Sequence, residues 1–305
     1  TTEIYTLSLH DALPIWTGPG YAFDGYLKFD LTRWDQEYMG RLHGFLSEAA
    51  KRGIVVELTL FSNAYGDPVW NLNPFNACNN VNGVGNVAWQ DYNSMLEPGL
   101  FVLQQAYVRK IVHEVNAYDN LYFEICNEPF GDQPGHISVA QVMAWHTAIR
   151  ELIRAEEARL PKQHLIFQVP IERARGGSDL GELASQPVDA IDLHDYQMLF
   201  YKGQMLHPLS RFMEGDLKLR GIHYLWTACQ DIGKPIVFDE DNAATCHLNE
   251  MGWTVQRKRA WTTVCSGGHY DMIDFSIQSG GQETGTPESR AKIRTWMKHL
   301  SEFIH

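Results

Sequence analysis

Positive charge is scarce in this sequence: 25 Lys and Arg stand against 37 Asp and Glu among 305 residues, a formal charge of −12. A surface of that sign repels phosphate backbones and anionic headgroups, so neither nucleic acid nor an anionic membrane is an expected partner. No run of 18 apolar residues occurs, which leaves no candidate for a membrane-spanning helix. The five cysteines (Cys78, Cys126, Cys229, Cys246 and Cys265) form no C-x-x-C pair, so a structural zinc or thioredoxin-type centre is not expected. A disulfide between Cys78 and Cys246 is compatible with the sequence but cannot be read from it. H-x-H and H-E-x-x-H are absent, and with them the usual metal-hydrolase patterns. G-x-G-x-x-G, the P-loop and G-x-S-x-G are absent as well, which removes the signals for a nucleotide cofactor and for a serine nucleophile. No metal and no cofactor is expected. Linkers, repeats and low-complexity tracts are missing too.

What is present is coherent. The apolar and aromatic run Leu121-Tyr-Phe-Glu-Ile-Cys-Asn-Glu-Pro129 reads as a buried strand that stops at Pro129, which cannot donate a ladder hydrogen bond. Glu128 therefore sits at a carboxyl-terminal strand tip. Around this strand, strand-like and helix-like patterns alternate. Strands are expected at 54–61, 121–128, 164–169, 188–194, 234–241 and 271–277. Helices are expected at 35–51, 99–118, 138–160, 211–230, 255–265 and 288–304, with Ser138 at an N-terminal cap position and Gly53 closing the first. Such alternation implies parallel strands with right-handed crossovers, an α/β fold. Six β/α units are read, with one more strand at 13–16. Thr17-Gly-Pro-Gly20 reads as a loop and residues 30–35 as the lead into the first helix. The long segment 62–98 holds Asn63, Tyr65, Trp70, Trp89 and Tyr92, and is read as a substrate-binding loop. Asn63, Trp70 and Trp89 are its candidate contacts; the indoles serve either as sugar platforms or as core. Thr2–Ile15 resembles the peptide obtained when a sequencing adapter is translated at the edge of a metagenomic contig. Residues 1–15 are therefore expected to be a non-native leader, and 16–305 one catalytic domain.

Three strand tips bear polar groups: Asn127-Glu128, His194-Asp195-Tyr196 and Asp239-Glu240-Asp241. Two carboxylic acids converging on one pocket are what glycoside hydrolysis requires. At about 5–5.5 Å apart one donates a proton and the other attacks the anomeric carbon, with retention. Alternation along 234–241 separates Glu240 from Asp239 and Asp241. It is read with Glu240, Ile236 and Phe238 pointing inward.

Asn-Glu-Pro at one tip, His-x-Tyr two strands later and Lys234-Pro-Ile-Val-Phe-Asp-Glu240 after that resemble the clan A glycoside hydrolases. These are retaining (β/α)₈ barrels that include the cellulase and mannanase families. The resemblance implies a TIM barrel acting on carbohydrate without a cofactor. Glu128 would be the acid/base and Glu240 the nucleophile. Asn127 would bond the sugar 2-hydroxyl, Tyr196 would orient the nucleophile, and His194 would line the pocket. If Glu128 ends strand four, residues 54–61 are strand three, 13–16 are strand two, and the native first β/α unit is missing. The chain departs from the pattern in two places. The arginine expected from the early strands has only Arg33 as a candidate, and Ser276–Gly280 stands where a tryptophan is usual. A carbohydrate-binding remnant without turnover is the competing expectation.

Overall fold

The computed structural model describes residues 15–173, 177–194, 199–206, 219–239, 250–271 and 287–305. Of the expectations above, the leader before residue 15, Asp195, Tyr196, Glu240, Asp241, Cys246 and Ser276–Gly280 lie outside the described residues. The chain forms two compact units, one over residues 7–175 and one built on 176–305.

The first unit opens with an antiparallel hairpin, β1 (Ile15–Tyr21) against β2 (Leu27–Trp34). This overturns two expectations. The segment Thr17–Gly20 is strand, and residues 27–34 are a second strand instead of a helix lead-in. β1 is also not a parallel barrel strand. Its register shifts between Thr17 and Tyr21, where Gly18, Pro19 and Gly20 fall, and such a bulge accommodates residues that ordinarily break a strand. Helix α1 (Gln36–Ala50) starts where expected, because the Asp35 carboxylate accepts from the backbone N–H groups of Glu37 and Tyr38. Next come β3 (Val56–Ser62), the one-turn α2 (Asp67–Trp70), α3 (Pro98–Val115), β4 (Leu121–Asn127) and the short β5 (Phe130–Gly131). They are followed by α4 (Val139–Glu157), β6 (Ile166–Gln168) and β7 (Glu172–Arg173). β3, β4 and β6 pair in parallel in that order, and β5 pairs with β7. Ser138 and Gln141 close a reciprocal capping box on α4.

The core of this unit is aromatic. Phe61 meets Trp145 at 5.1 Å between ring centroids and Tyr107 at 5.4 Å, both edge-on. Buried Gln104 ties them in: it accepts from Trp145 Nε1 and donates to the Tyr92 carbonyl. The loop from 63 to 97 is ordered by close approach. Gly85 has φ +87°, a Cβ on it would lie 1.6 Å from the Phe75 carbonyl oxygen, and its N–H donates to the Glu97 carboxylate. At the other end of the sheet, His164 joins three segments. One ring nitrogen faces Glu157 Oε1 at 2.6 Å and the other the Tyr118 carbonyl at 2.7 Å. Both neighbours only accept, so both nitrogens carry protons and the ring is an imidazolium.

The second unit runs β8 (Ser178–Asp179), α5 (Leu180–Ser185), β9 (Ala190–Leu193), β10 (Leu199–Tyr201), β11 (Gln204–Leu206), α6 (Leu219–Ala228), β12 (Ile236–Phe238), α7 (Glu250–Cys265), β13 (His269–Tyr270) and α8 (Pro287–Ile304). β9, β12 and β13 are parallel, and the unforeseen hairpin β10–β11 adds β8 at its side. α7 begins five residues earlier than expected; the strand expected at 271–277 lies, apart from Asp271, outside the described residues, and β13 stands just before it. Ile191, Leu193, Ile236 and Phe238 pack with Ile222, Leu225 and Trp226 of α6. Among the described residues no helix is long and apolar enough to cross a membrane, and Cys78, Cys126, Cys229 and Cys265 are free thiols.

Candidate active site

In the first unit, β4 carries the functional tip. Its lower part pairs carboxylates with hydroxyls across the β3–β4 ladder: Tyr122 Oη donates to Glu57 at 2.8 Å, and Thr59 Oγ1 to Glu124 at 2.6 Å. Above them the buried Cys126 thiol accepts from Asn93 Nδ2 at 3.1 Å. Burial, then the charges of Glu124 and Glu128, push this thiol well above its ordinary range, so it is inert as a nucleophile.

The ladder ends at Asn127, and Glu128 turns out of it with φ +49°. Tyr65, beyond the tip of β3, has φ +55°. Two non-glycine residues in the left-handed region within one cluster are strained, and strain of this kind persists only where surroundings enforce it. Asn63 is the enforcing group. Its backbone N–H donates to the Asn127 carbonyl at 3.0 Å, its Nδ2 to the Glu128 carbonyl at 3.0 Å, and its Oδ1 accepts from the Tyr65 N–H at 3.1 Å. The Tyr65 hydroxyl then closes the cluster. It accepts from Asn127 Nδ2 at 2.8 Å, and Glu128 acts on it as a charge and as a hydrogen-bond acceptor. Burial, above all, raises the Tyr65 phenol far beyond its ordinary range; the Ser62 hydroxyl opposes this and Glu128 adds to it. Tyr65 thus stays protonated and remains a donor to Glu128. Tyr65 was read only as one aromatic of the loop. The signal that could have singled it out is Asn63-Ala64-Tyr65-Gly66 directly after the tip of β3.

The other expected contacts of this unit differ in what they offer. Trp70 is 4% exposed; it packs on Tyr92 and donates to the Val87 carbonyl, so its ring is engaged in the core. Asn63 is 5% exposed and its amide is committed to backbone. Trp89 is half-buried and meets Phe130, two residues past Glu128, edge-on at 6.0 Å.

In the second unit, β9 and β12 end side by side. The Asp239 N–H donates to the Leu193 carbonyl at 3.0 Å, and His194 Nε2 lies 3.9 Å from Asp239 Oδ2. His194 is fully buried. Here the inward reading of β12 is corrected. Ile236 and Phe238 belong to the cluster against α6, and Arg259 of α7 lies over the Phe238 ring at 5.4 Å. The opposite face of the two strands, carrying Asp192 and Val237, is therefore the one away from these helices. The strand itself ends at Phe238, so alternation does not extend to Glu240, which with Tyr196 lies outside the described residues. Among the described residues no three His, Cys, Asp or Glu side chains gather as a metal site.

The family model described as "Cellulase (glycosyl hydrolase family 5)" matches residues 15–276. Among solved structures the chain is similar to a broad specificity endoglucanase of Ruminococcus champanellensis with bound cellotriose, at 11% identity, covering 92% of this chain and 78% of that one with a TM-score of 0.52. It is also similar to the catalytic domain of an endoglucanase of Thermobifida fusca (15% identity, 86% and 75% covered, TM-score 0.47). A third is endo-glycoceramidase II from Rhodococcus sp., solved as a lactosyl-enzyme intermediate (15% identity, 86% and 66% covered, TM-score 0.48). The chain thus spans about two thirds of that last protein's length. The first of these likenesses shows the fold, an α/β barrel of the TIM type, as expected from the alternation of elements. No curated protein matches the chain in sequence.

Proposed function

Because the chain belongs to the cellulase family, glycosyl hydrolase family 5, whose members are retaining glycoside hydrolases working with two glutamates, we propose that it cleaves the O-glycosidic bonds of a β-linked glycan by double displacement. Glu128 is the acid/base and Glu240 the nucleophile. In the first step Glu128 gives its proton to the leaving oxygen while the Glu240 carboxylate attacks the anomeric carbon. In the second, Glu128 takes a proton from water, and that water displaces Glu240 from the sugar. Asn127 bonds the sugar 2-hydroxyl, His194 and Tyr196 border the nucleophile, and Trp89 offers a ring beside the acid. Asn63 and Trp70 support this arrangement from within: the first holds the backbone of Glu128, and the second holds the loop. The observation that carries the reading is the Glu128 tip, forced into a left-handed turn by Asn63 and met by a protonated phenol.

Azide tests both roles. Glu128→Ala with azide on an activated aryl β-glycoside is expected to give a β-glycosyl azide, and Glu240→Ala the α-anomer. Full activity in Glu128→Ala would end the assignment of the acid. Asp239→Ala tests the neighbour of His194: inactivity there, with Glu240→Ala unimpaired, would transfer the nucleophile to Asp239.

A further inference from the structure

The hairpin β1–β2 carries aromatic side chains that the chemistry above leaves unused. Tyr21 is 75% exposed, Phe23 65% and Tyr26 60%, with Trp16 at 44%. Three large rings exposed within six residues of one hairpin tip make a candidate binding surface.

The tip is firmly built. The Ala22 N–H donates to the Tyr26 carbonyl at 2.8 Å, the Gly25 N–H to the Ala22 carbonyl at 3.0 Å, and the Tyr26 N–H to Asp24 Oδ1 at 3.1 Å. The hairpin is also mounted on the loop that follows β3. Phe23 N–H donates to Asn79 Oδ1, Phe29 N–H to the Asn79 carbonyl, Val81 N–H to the Phe29 carbonyl and Leu31 N–H to Asn82 Oδ1, all at 2.8–2.9 Å. Asn79 is in turn anchored through two backbone carbonyls, those of Asn71 and Asn73. Gly18 seats the strand so closely that a Cβ there would come within 2.9 Å of Val81 Cγ1.

Position points to function. α1 returns antiparallel to β3 through a short turn, so its start at Asp35, where the hairpin joins, lies at the end of β3 that carries Asn63 and adjoins Glu128. The base of the hairpin thus lies at the acid's end of the first unit, and its tip is bonded to the loop that leaves β3 at Asn63. We propose that Tyr21, Phe23 and Tyr26 form a platform for a β-linked glycan chain, engaging sugar rings beyond those at the reacting bond. This rests on the glycan reading above. The chemistry favours a glycan over other occupants: aromatic rings stack on the apolar C–H faces of pyranose rings, and the two phenols and Asp24 can meet hydroxyls at the ring edge. A second copy of the chain would bring another charge of −12 to this surface, whereas a neutral polysaccharide meets no such repulsion.

The test is the triple variant Tyr21→Ser, Phe23→Ser, Tyr26→Ser in the full chain. Binding to mixed-linkage β-glucan, glucomannan and xylan is measured by affinity electrophoresis in a Glu128→Gln background, so that the polymer survives. The dissociation constant for the preferred polymer is expected to rise about tenfold or more, equivalent to about 1.4 kcal/mol. Turnover of an aryl β-glycoside by the triple variant with Glu128 intact is expected to stay within about twofold of wild type. In the unmutated protein, saturating polymer is expected to slow nitration of Tyr21 and Tyr26 by tetranitromethane. Unchanged polymer binding, unprotected tyrosines, or a wild-type dimer that the triple variant converts to monomer in sedimentation would each overturn the platform. Aryl-glycoside turnover that survives Glu128→Gln is the separate failure, that of the hydrolase reading.

Discussion

Tyr65→Phe isolates one oxygen atom. The phenol oxygen accepts from Asn127 and its proton is given to the Glu128 carboxylate; phenylalanine keeps the ring and removes both bonds. A hydrogen bond to a charged group contributes about 1.5–3 kcal/mol, and a neutral one about 1. Tyr65 is 49% exposed, so water replaces part of the loss, and about 1–2 kcal/mol remains, or roughly 5–30-fold in kcat/KM. The loss should depend on the leaving group. A dinitrophenyl glycoside needs no protonation, so its glycosylation step should be nearly unaffected; an alkyl or sugar leaving group should show the full loss. The pH profile adds a sign. A donor to the carboxylate favours its charged form, so removing it raises the acid's pKa. Since Glu128 must be protonated to act, the basic limb of kcat/KM should move to higher pH. Tyr65 and Cys126 both feel the Glu128 charge, and the thiol, raised by burial, stays neutral across that range. Equal losses for all leaving groups, or an unmoved basic limb with Glu128→Ala inactive, would refute the positioning role of Tyr65.

Two further perturbations address stability. His164 is held above its ordinary pKa: burial opposes this, but the Glu157 bond, the Tyr118 carbonyl and the Glu157 charge outweigh it. Its contribution is therefore complete below about pH 6.5, the unfolded value, and is lost as pH rises through the higher folded value. Thermal melts from mildly acidic to mildly alkaline pH should show this decline, and His164→Leu, which leaves Glu157 without its imidazolium, should abolish it at a cost of about 3 kcal/mol. A decline of the same size in the variant would remove His164 as its source. For Gly85→Ala, the left-handed backbone alone costs about 1–2 kcal/mol, and the Phe75 carbonyl must move as well. Urea unfolding should show at least that loss, and an unchanged midpoint would mean that the loop relaxes freely.

Much of the architecture was legible because its signals are local. Asp35 and Ser138 mark helix starts through bonds to N–H groups within three residues, and Pro129 ends β4 through its own missing donor. The Asn127-Glu128 tip and five of the parallel strands, β3, β4, β6, β9 and β12, followed from such punctuation and from side-chain period. The sequence by itself also determined the charge and the absence of metal and nucleotide motifs. Tertiary structure decided the rest. Gly18-Pro19-Gly20 reads as a break until a partner strand supplies the bulge that tolerates it. The faces of β12 were settled by contacts with α6 and α7, since alternation divides a strand into two sides without saying which one the helices cover. Trp70 became core and Tyr65 the partner of the acid for the same reason: an aromatic ring's role depends on neighbours brought from elsewhere in the chain, and no short-range rule contains them.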